Sequence, residues 1–497
     1  MQLNPTNSKT FHVKIMLLVV AITCTGFGLR VYRLGENSLW NDESGQALAA
    51  LTPSISETLQ YSRGHTMAMP LDYLVSRVSI HISSSEFVLR LPSVLWGTLA
   101  ILAIFVLARR LSGLQTAIVA TLLLSLSPWH IRYAQEMRFY AALGFFYLLA
   151  NIALLKAIRQ PSRVNWAEFV LVTLVGSYFH LYVALVVING FICWLFMKSG
   201  APARRKLFAH LSVCSLIIAA LIAPGYWYFG GHQTFQYNLL EYGGSLSSIL
   251  LEGIGWLSFP YTSTTPAFGA WEAFNVVFAT VGILVLARRR KANGELVGIL
   301  LGVLLNIGLI LLADYIKGYW FLSRQLIHLA PFAIIVSAIG IVETAITISN
   351  LPLHPHRARS ASTIFLLTSI LAICLTSSQR ISQYYAFPKS QAKQIVAAFL
   401  EAQHGQEPLF VIPGYEEKIY RYYMIQDGQP DSTIQRVIPT DWQALQQAIS
   451  TTPSRAYLAV QGMEAIEETS MLRNLGFEQI WSPQTIWYGT HTLWVKK

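Results

Sequence analysis

The sequence predicts a polytopic α-helical membrane protein of about eleven transmembrane helices with a small C-terminal α/β domain on the extracytoplasmic side. Three observations carry this. First, 54% of the 497 residues are hydrophobic and only 12% are charged, with a mean hydropathy of +0.45; an ordinary soluble domain carries about 25% charged residues. Second, the basic residues fall in short runs between apolar stretches: Arg109-Arg110, Lys156 to Arg163, Arg204-Arg205-Lys206, Arg288 to Lys291, and Arg357 with Arg359. Third, beyond Lys389 the apolar runs stop and a soluble periodicity begins.

The net charge of +11 could suggest nucleic acid, but its distribution excludes that reading. Basic runs between spans mark cytoplasmic loops. The chain is therefore read as multi-pass in the plasma (inner) membrane, N-terminus cytoplasmic. Met1–Lys14 is polar and basic, and no small-x-small cleavage site follows the apolar run after it, so an uncleaved first span is expected rather than a signal peptide. The cysteines Cys24, Cys193, Cys214 and Cys374 lie within apolar runs, with no metal-ligand spacing and no loop position suited to a disulfide.

Taken in order, the expected spans are Lys14–Tyr32, Val88–Ala108, Leu114–Pro128 and Tyr140–Ile158. Trp166–Met197 is too long for one crossing and is divided into two, turning near Tyr178–Tyr182. Leu207–Phe229, Trp271–Ala287, Leu296–Ala313, Leu326–Ile348 and Thr363–Ser378 complete the set. Starting inside, an odd number of crossings puts the C-terminus outside and every basic run inside. Arg30 and Arg33, at the outer end of the first span, go against the trend and either snorkel or have a task.

The outer loops are then Leu34–Phe87, Trp129–Phe139, the Tyr178–Tyr182 turn, Gly230–Ala270, Asp314–Gln325 and everything after Gln379. In the first, Ile55–Tyr61 and Leu71–Ile82 show helical spacing and read as helices on the membrane surface. Aromatics at Tyr226 to Phe229, Tyr237, Tyr242 and Trp256 form either an interfacial belt or a lid. Residues 1–380 are assigned to the membrane domain and 381–497 to the outer domain. In the latter, helices are expected around Ala392–Leu400, Glu416–Met424, Trp442–Ile449 and Glu464–Leu475. Strands are expected at Leu409–Ile412, Arg455–Val460, Phe477–Trp481 and Thr492–Val495. Tyr420, Tyr422 and Tyr423 are read as packing residues.

The candidate chemistry lies on the outer side. Asp42 and Glu43 are adjacent carboxylates just beyond the first span, where an acidic group is costly unless hydrated, paired or used. The bland alternative is a helix N-terminus capped by Asp42 or Ser38. The loop Trp129–Phe139 packs His130, Arg132, Gln135, Glu136 and Arg138 between two spans. Arginine suits a phosphate through its planar fork, and Glu136 either joins the site or neutralises an arginine. Arg324 is an anion-site candidate or a snorkelling arginine. His65 and His180 are lone histidines, structural or ligating. No His pair or carboxylate spacing demands a metal, although Asp42, Glu43, Glu136 or a histidine could hold a divalent ion.

An ordered set of short motifs then gives a specific resemblance. It comprises Leu39-Trp40-Asn41-Asp42-Glu43, Pro70-Leu71-Asp72-Tyr73, Arg90-Leu91-Pro92-Ser93, the run Tyr133 to Tyr140, and Arg324 before Pro331. Together these resemble the GT-C type polyprenyl-phosphate-dependent glycosyltransferases, the protein O-mannosyltransferase and aminoarabinose transferase group. The resemblance implies a GT-C architecture, Asp42 as general base with Glu43 beside it, and arginines holding the lipid phosphate. On it, His65, Arg132, Tyr133, Gln135, Glu136, Arg138, Tyr140, His180 and Arg324 are expected to bind substrate. The sequence departs from the family at Met69-Pro70-Leu71, with no lysine just before it, and at Gln325, where tyrosine commonly follows the late arginine.

The expected function is inverting transfer of a sugar from a polyprenyl-phosphate carrier to a hydroxyl of a lipid, glycan or protein acceptor on the outer side. The alternative is a carrier or flippase for a lipid-linked sugar. A transporter would show repeat symmetry and polar residues at the bilayer midplane; here the polar cluster sits at the outer edge and no repeated half is found.

Overall fold

The computed structural model describes residues 5–63, 69–197, 200–229, 269–289, 294–317, 323–352, 354–386, 388–405, 407–412, 414–429, 434–436, 455–461, 470, 472–481 and 491–496. Its helices are α1 (Pro5–Val31), α2 (Asn41–Ala50), α3 (Ile55–Ser62), α4 (Pro70–Ile82), α5 (Glu86–Ser112), α6 (Leu114–Ser125), α7 (Pro128–Ala134), α8 (Tyr140–Arg159) and α9 (Arg163–Phe179). They continue with α10 (Val186–Phe196), α11 (Ala201–Phe229), α12 (Ala270–Arg289), α13 (Gly294–Lys317), α14 (Ala330–Ser349) and α15 (Pro355–Ala386).

Among the described residues, eight helices are long and apolar enough to cross a membrane, and the pair α6–α7, bent by 58°, makes a ninth. The two other crossings expected from sequence coincide with the shorter helices α9 and α10, joined by a 3-10 turn at Leu181–Leu185. The surface helices expected after the first span are α3 and α4. α2 begins where the sequence offered a helix N-terminus as one of two readings; its extent was not drawn, because its small and polar run, Asn-Asp-Glu-Ser-Gly-Gln-Ala, carries little apolar periodicity.

Local chemistry starts and stops these helices. Ser85 and Ser162 cap α5 and α9 by accepting from Val88 N and Asn165 N. Pro70 and Pro128 open α4 and α7, where a missing N–H costs nothing. Gly113, at φ 90°, makes the reversal between α5 and α6. α12 and α14 touch backbone to backbone: a Cβ at Gly282 or Gly340 would collide with the carbonyl of Val336 or Phe278.

The bend between α6 and α7 explains Arg30. Breaking a helix frees carbonyls that lipid cannot satisfy. Arg30, fully buried, donates to Leu124 O and Ser125 O at 3.1 Å each, to Gly26 O at 2.7 Å, and meets His130 Nδ1 at 2.9 Å. It does not snorkel. Replacing Arg30 with Met should cost about 2 kcal/mol by removing the side-chain donor to Ser125 O and its second contacts to Leu124 O and Gly26 O, read as a lower denaturation temperature in detergent.

The outer domain is a five-stranded sheet with order β2-β1-β3-β5-β4, from β1 (Leu409–Ile412), β2 (Ile434–Arg436), β3 (Ala456–Gln461), β4 (Phe477–Trp481) and β5 (His491–Lys496). β1 pairs parallel with β2 and β3, while β5 runs antiparallel to β3 and β4. Helices α16 (Ala392–Ala402) and α17 (Glu417–Gln426) cover one face. The four expected strands are present, and β2 was missed because three residues carry too little pattern. The expected helix at Trp442–Ile449 lies outside the described residues, as does most of Glu464–Leu475.

This domain does not hang free. Ile395, Phe399, Val411, Tyr423 and Val495 share one apolar core with Leu39 and Ala47 of the first outer loop, Leu89 of α5, and Met137. The expected boundary at 380/381 falls inside α15, which carries on to Ala386. Tyr422 OH donates to Ser84 O at 3.0 Å, and Tyr423 OH donates to Glu86 at 3.1 Å while accepting from Leu39 N at 2.6 Å. These tyrosines pack, and in packing they bolt the sheet domain onto the bundle.

Candidate functional site

Asp42 and Glu43 occupy the first turn of α2, where the helix dipole favours negative charge. The helix N-terminus considered from sequence is there, but Glu43 caps it: Trp40 N donates to Glu43 Oε2 at 3.3 Å. Neither Asp42 nor Ser38 does so, since the cap position belongs to Trp40. Adjacent helical residues point about 100° apart, and the two carboxylates have different surroundings accordingly.

Glu43 points inward and is fully buried. Arg90 grips it with two parallel bonds, Nε to Oε1 at 2.9 Å and Nη2 to Oε2 at 2.7 Å, and Met137 N donates to Oε1 at 2.7 Å. Burial alone would raise its pKa; Arg90, Lys389 and the Met137 N–H outweigh burial and hold it below the usual carboxylate range. Arg90 also donates to the carbonyls of Leu34, Asn37 and Ser38 at 2.8–3.0 Å, fixing the chain that leads into α2. Both Glu43 oxygens are thus held by donors, and neither is left to take a proton.

Asp42 points to the open side. Its Oδ2 accepts from Arg324 Nη2 at 2.8 Å, and the two side chains are 30% and 20% exposed. Arg324 Nε donates to Tyr140 OH at 2.6 Å, and its guanidinium lies 5.0 Å from the Trp40 ring centroid. Arg138 completes this wall. Its Nη1 donates to Gln46 Oε1 at 2.9 Å. Burial would discharge it, but Asp42, Tyr140, Tyr73 and Asp72 prevail and hold it more firmly charged than usual. Gln46 in turn donates to Asp72 Oδ2 at 2.8 Å and Ser76 Oγ at 2.6 Å. Burial is the main cause that lifts the Asp72 carboxyl to about 6.

The other predicted residues sort into a layer behind this wall. Glu136 is buried with Lys389 Nζ at 3.0 Å and Arg132 Nε at 3.7 Å, so its charge faces two cations. Burial, its leading cause, lowers the Lys389 pKa against the pull of Glu136 and Glu43. Gln135 donates to the carbonyls of Arg30 and Tyr32 and accepts from Tyr384 OH at 2.6 Å, tying α1 to α15. Tyr133 packs edge-on to Trp129 and Tyr140. His180 is buried, stacked on Phe139, with Nδ1 accepting from Tyr182 N. His65 lies outside the described residues, as do residues 230–268 with Tyr237, Tyr242 and Trp256.

Of the predicted set, Asp42, Arg138, Tyr140 and Arg324 come together, with Glu43 braced directly behind. Sequence reasoning missed Gln46, Asp72, Lys389 and Glu416 as members of this neighbourhood. Asp72 stood in a quoted motif and Arg90 in another; Lys389 and Glu416 arrive from the far end of the chain with no local signal. Of the carboxylates the sequence offered for a divalent ion, Asp42, Glu43 and Glu136 each face a cation. Among the described residues no group of three or more His, Cys, Asp and Glu stands as metal ligands do.

Two of the basic runs, those of Arg109-Arg110 and of Lys156 to Arg163, meet at the other end of α5 from Arg90. Arg110 donates to Ile152 O, while Arg159 donates to Arg110 O and pairs with Glu295.

Comparison with known proteins agrees with this architecture. A family model described as dolichyl-phosphate-mannose-protein mannosyltransferase matches residues 69–228. YkcB of Bacillus subtilis (strain 168), a candidate mannosyltransferase, is 23% identical over 155 residues. That stretch is 31% of this chain and 22% of YkcB. Among solved structures, ArnT from Cupriavidus metallidurans, bound to undecaprenyl phosphate, superposes with a TM-score of 0.54 at 12% identity, covering 97% of both chains. AglB of Archaeoglobus fulgidus, an archaeal oligosaccharyltransferase in complex with an inhibitory peptide and a dolichol-phosphate, gives 0.57 at 10% identity over 92% of this chain and 70% of its own. The chain is a multi-pass membrane protein with the GT-C glycosyltransferase fold.

Proposed function

We propose that the protein transfers a sugar from a polyprenyl-phosphate carrier to an acceptor hydroxyl at the outer face of the membrane, with inversion at the anomeric carbon. The observation that carries this reading is the pairing of Asp42 with Arg324 at a half-open position, beside the charged Arg138 and the hydroxyl of Tyr140. A carboxylate that can take a proton stands next to guanidinium groups that can take a phosphate.

The step balances simply. As the acceptor oxygen bonds to the anomeric carbon, its proton passes to Asp42. The bond from that carbon to the phosphate oxygen breaks, and the electron pair leaves on the polyprenyl phosphate. Arg324 and Arg138 offset the charge that grows there. The departing phosphate needs no proton, so one carboxylate suffices, and a direct displacement inverts. Glu43, committed to Arg90, braces the turn that aims Asp42 and takes no part as nucleophile. Arg132, Glu136 and Lys389 serve as its buried support.

Support for the outward orientation comes from Arg110 and Arg159, which belong to two of the basic runs and lie together at the end of the bundle away from Asp42, as residues of a cytoplasmic loop would.

The test is transfer by the purified protein in lipid from polyprenyl phosphates carrying mannose, glucose or aminoarabinose, with the anomeric configuration of the product read by NMR. Turnover of one donor with the opposite configuration in the product is expected. Retention would overturn the single-displacement mechanism. Tight binding of undecaprenyl phosphate without turnover of any donor, by transfer or hydrolysis, would favour a lipid-sugar carrier instead.

A further inference from the structure

The C-terminal domain brings one more carboxylate to this site. A 3-10 turn at Gly414–Glu416 leads into α17, and α17 packs on α2. Lys418 lies over Gly45: a Cβ there would stand 3.5 Å from Lys418 Cδ. Gly45 is three residues beyond Asp42, so it shares that face of α2. The segment from Glu416 to Lys418 therefore arrives on the Asp42 side of the helix.

Glu416 is 8% exposed, and its Oε2 is sealed from solvent with no hydrogen-bond partner. That differs from the surrounding pattern. Glu43, Glu86, Glu136 and Glu272 are buried too, and each is paired with a lysine or arginine. A buried carboxylate oxygen left without a donor is costly, and here it sits beside the proposed base. Burial first, and Asp42 second, push the Glu416 carboxyl up to about 7, against the pull of Lys418. The charge of Glu416 is felt in turn by Tyr420, in the first turns of α17.

We infer that Glu416 binds the acceptor, accepting a hydrogen bond from a second hydroxyl next to the one Asp42 deprotonates, so that the acceptor is a polyol of the carbohydrate kind. The inference rests on the glycosyl-transfer reading above. A vicinal diol presents two O–H donors to two carboxylates, whereas a serine or threonine side chain presents one. The site would then join a base from the bundle to a specificity residue from the outer domain. Because the ionised form is the stronger acceptor, affinity for the diol rises as the pH rises through about 7.

The test uses the full-length protein in lipid with its fastest-turning donor and two probes, methyl α-mannoside as the diol and N-acetylserine amide as the lone hydroxyl. Wild type should prefer the mannoside. E416Q should raise the mannoside KM about tenfold, the loss of roughly one charge-assisted hydrogen bond, with kcat falling less than KM rises. It should also flatten the pH dependence of kcat/KM near 7. Equal use of both probes, an unchanged KM in E416Q, or donor hydrolysis with transfer to neither probe would each overturn the assignment. Failure to consume any donor would instead sink the glycosyl-transfer reading. If E416Q no longer binds undecaprenyl phosphate, E416D replaces it; that variant keeps the charge and should show a smaller KM effect with the pH dependence intact, and an unchanged KM in E416D with a flat profile counts against Glu416.

Discussion

Asp42→Asn should lower glycosyl transfer about a thousandfold, within the range that a positioned general base supplies. The amide has nearly the same shape and still accepts a bond from Arg324, so the fold should survive. What changes is basicity and charge. Arg324 now donates to a carboxylate at 2.8 Å; opposite a neutral amide it has less to hold and more to offer a phosphate. Undecaprenyl phosphate should therefore bind the variant as tightly as wild type, or more tightly. Turnover and lipid binding measured on the same preparation check both signs. Full turnover in the variant would remove Asp42 from the mechanism, and lost lipid binding would make it a structural residue.

The largest stability effect is expected at Arg90. Arg90→Met leaves Glu43 buried and unpaired and strips the carbonyls of Leu34, Asn37 and Ser38 of their donor. Breaking a buried ion pair from one side costs about 3–5 kcal/mol, enough to deplete the folded protein in the membrane. Removing both charges, Glu43→Leu with Arg90→Met, should restore most of that loss, because the desolvated charge is gone. The double variant should still turn over about a hundredfold more slowly, since a small displacement of a positioned group is that costly. Yield and denaturation temperature report the first effect, and kcat on the recovered protein reports the second. Equal activity of the double variant and wild type would show that the brace does not aim Asp42.

The spans were legible because lipid enforces a simple rule: it takes a long apolar run to cross. Asp42 and Glu43 were legible as a pair, since two carboxylates beside a span demand an explanation. Their division of labour was not. It depends on the pitch of α2, a helix whose sequence lacks an apolar stripe, and on Arg90, which looked like the opening of a span. Gln135 and Glu136 were expected to contact substrate on the resemblance, with Glu136 alternatively neutralising an arginine; in the structure Gln135 ties α1 to α15 and Glu136 faces Lys389 and Arg132. Glu416 could not be found from sequence at all. It lies over 370 residues from Asp42, in a turn with no motif, and only tertiary folding makes them neighbours.

The cage around Glu43 draws on Arg90 early in the chain, Met137 a little later, and the charge of Lys389 near its end. Leu39, at the threshold of α2, waits for Tyr423. A chain emerging from the ribosome thus inserts its spans long before its catalytic turn can be locked. On the proposed function, transfer cannot begin until that last stretch has folded onto α2, and clipping it from the folded protein should abolish transfer.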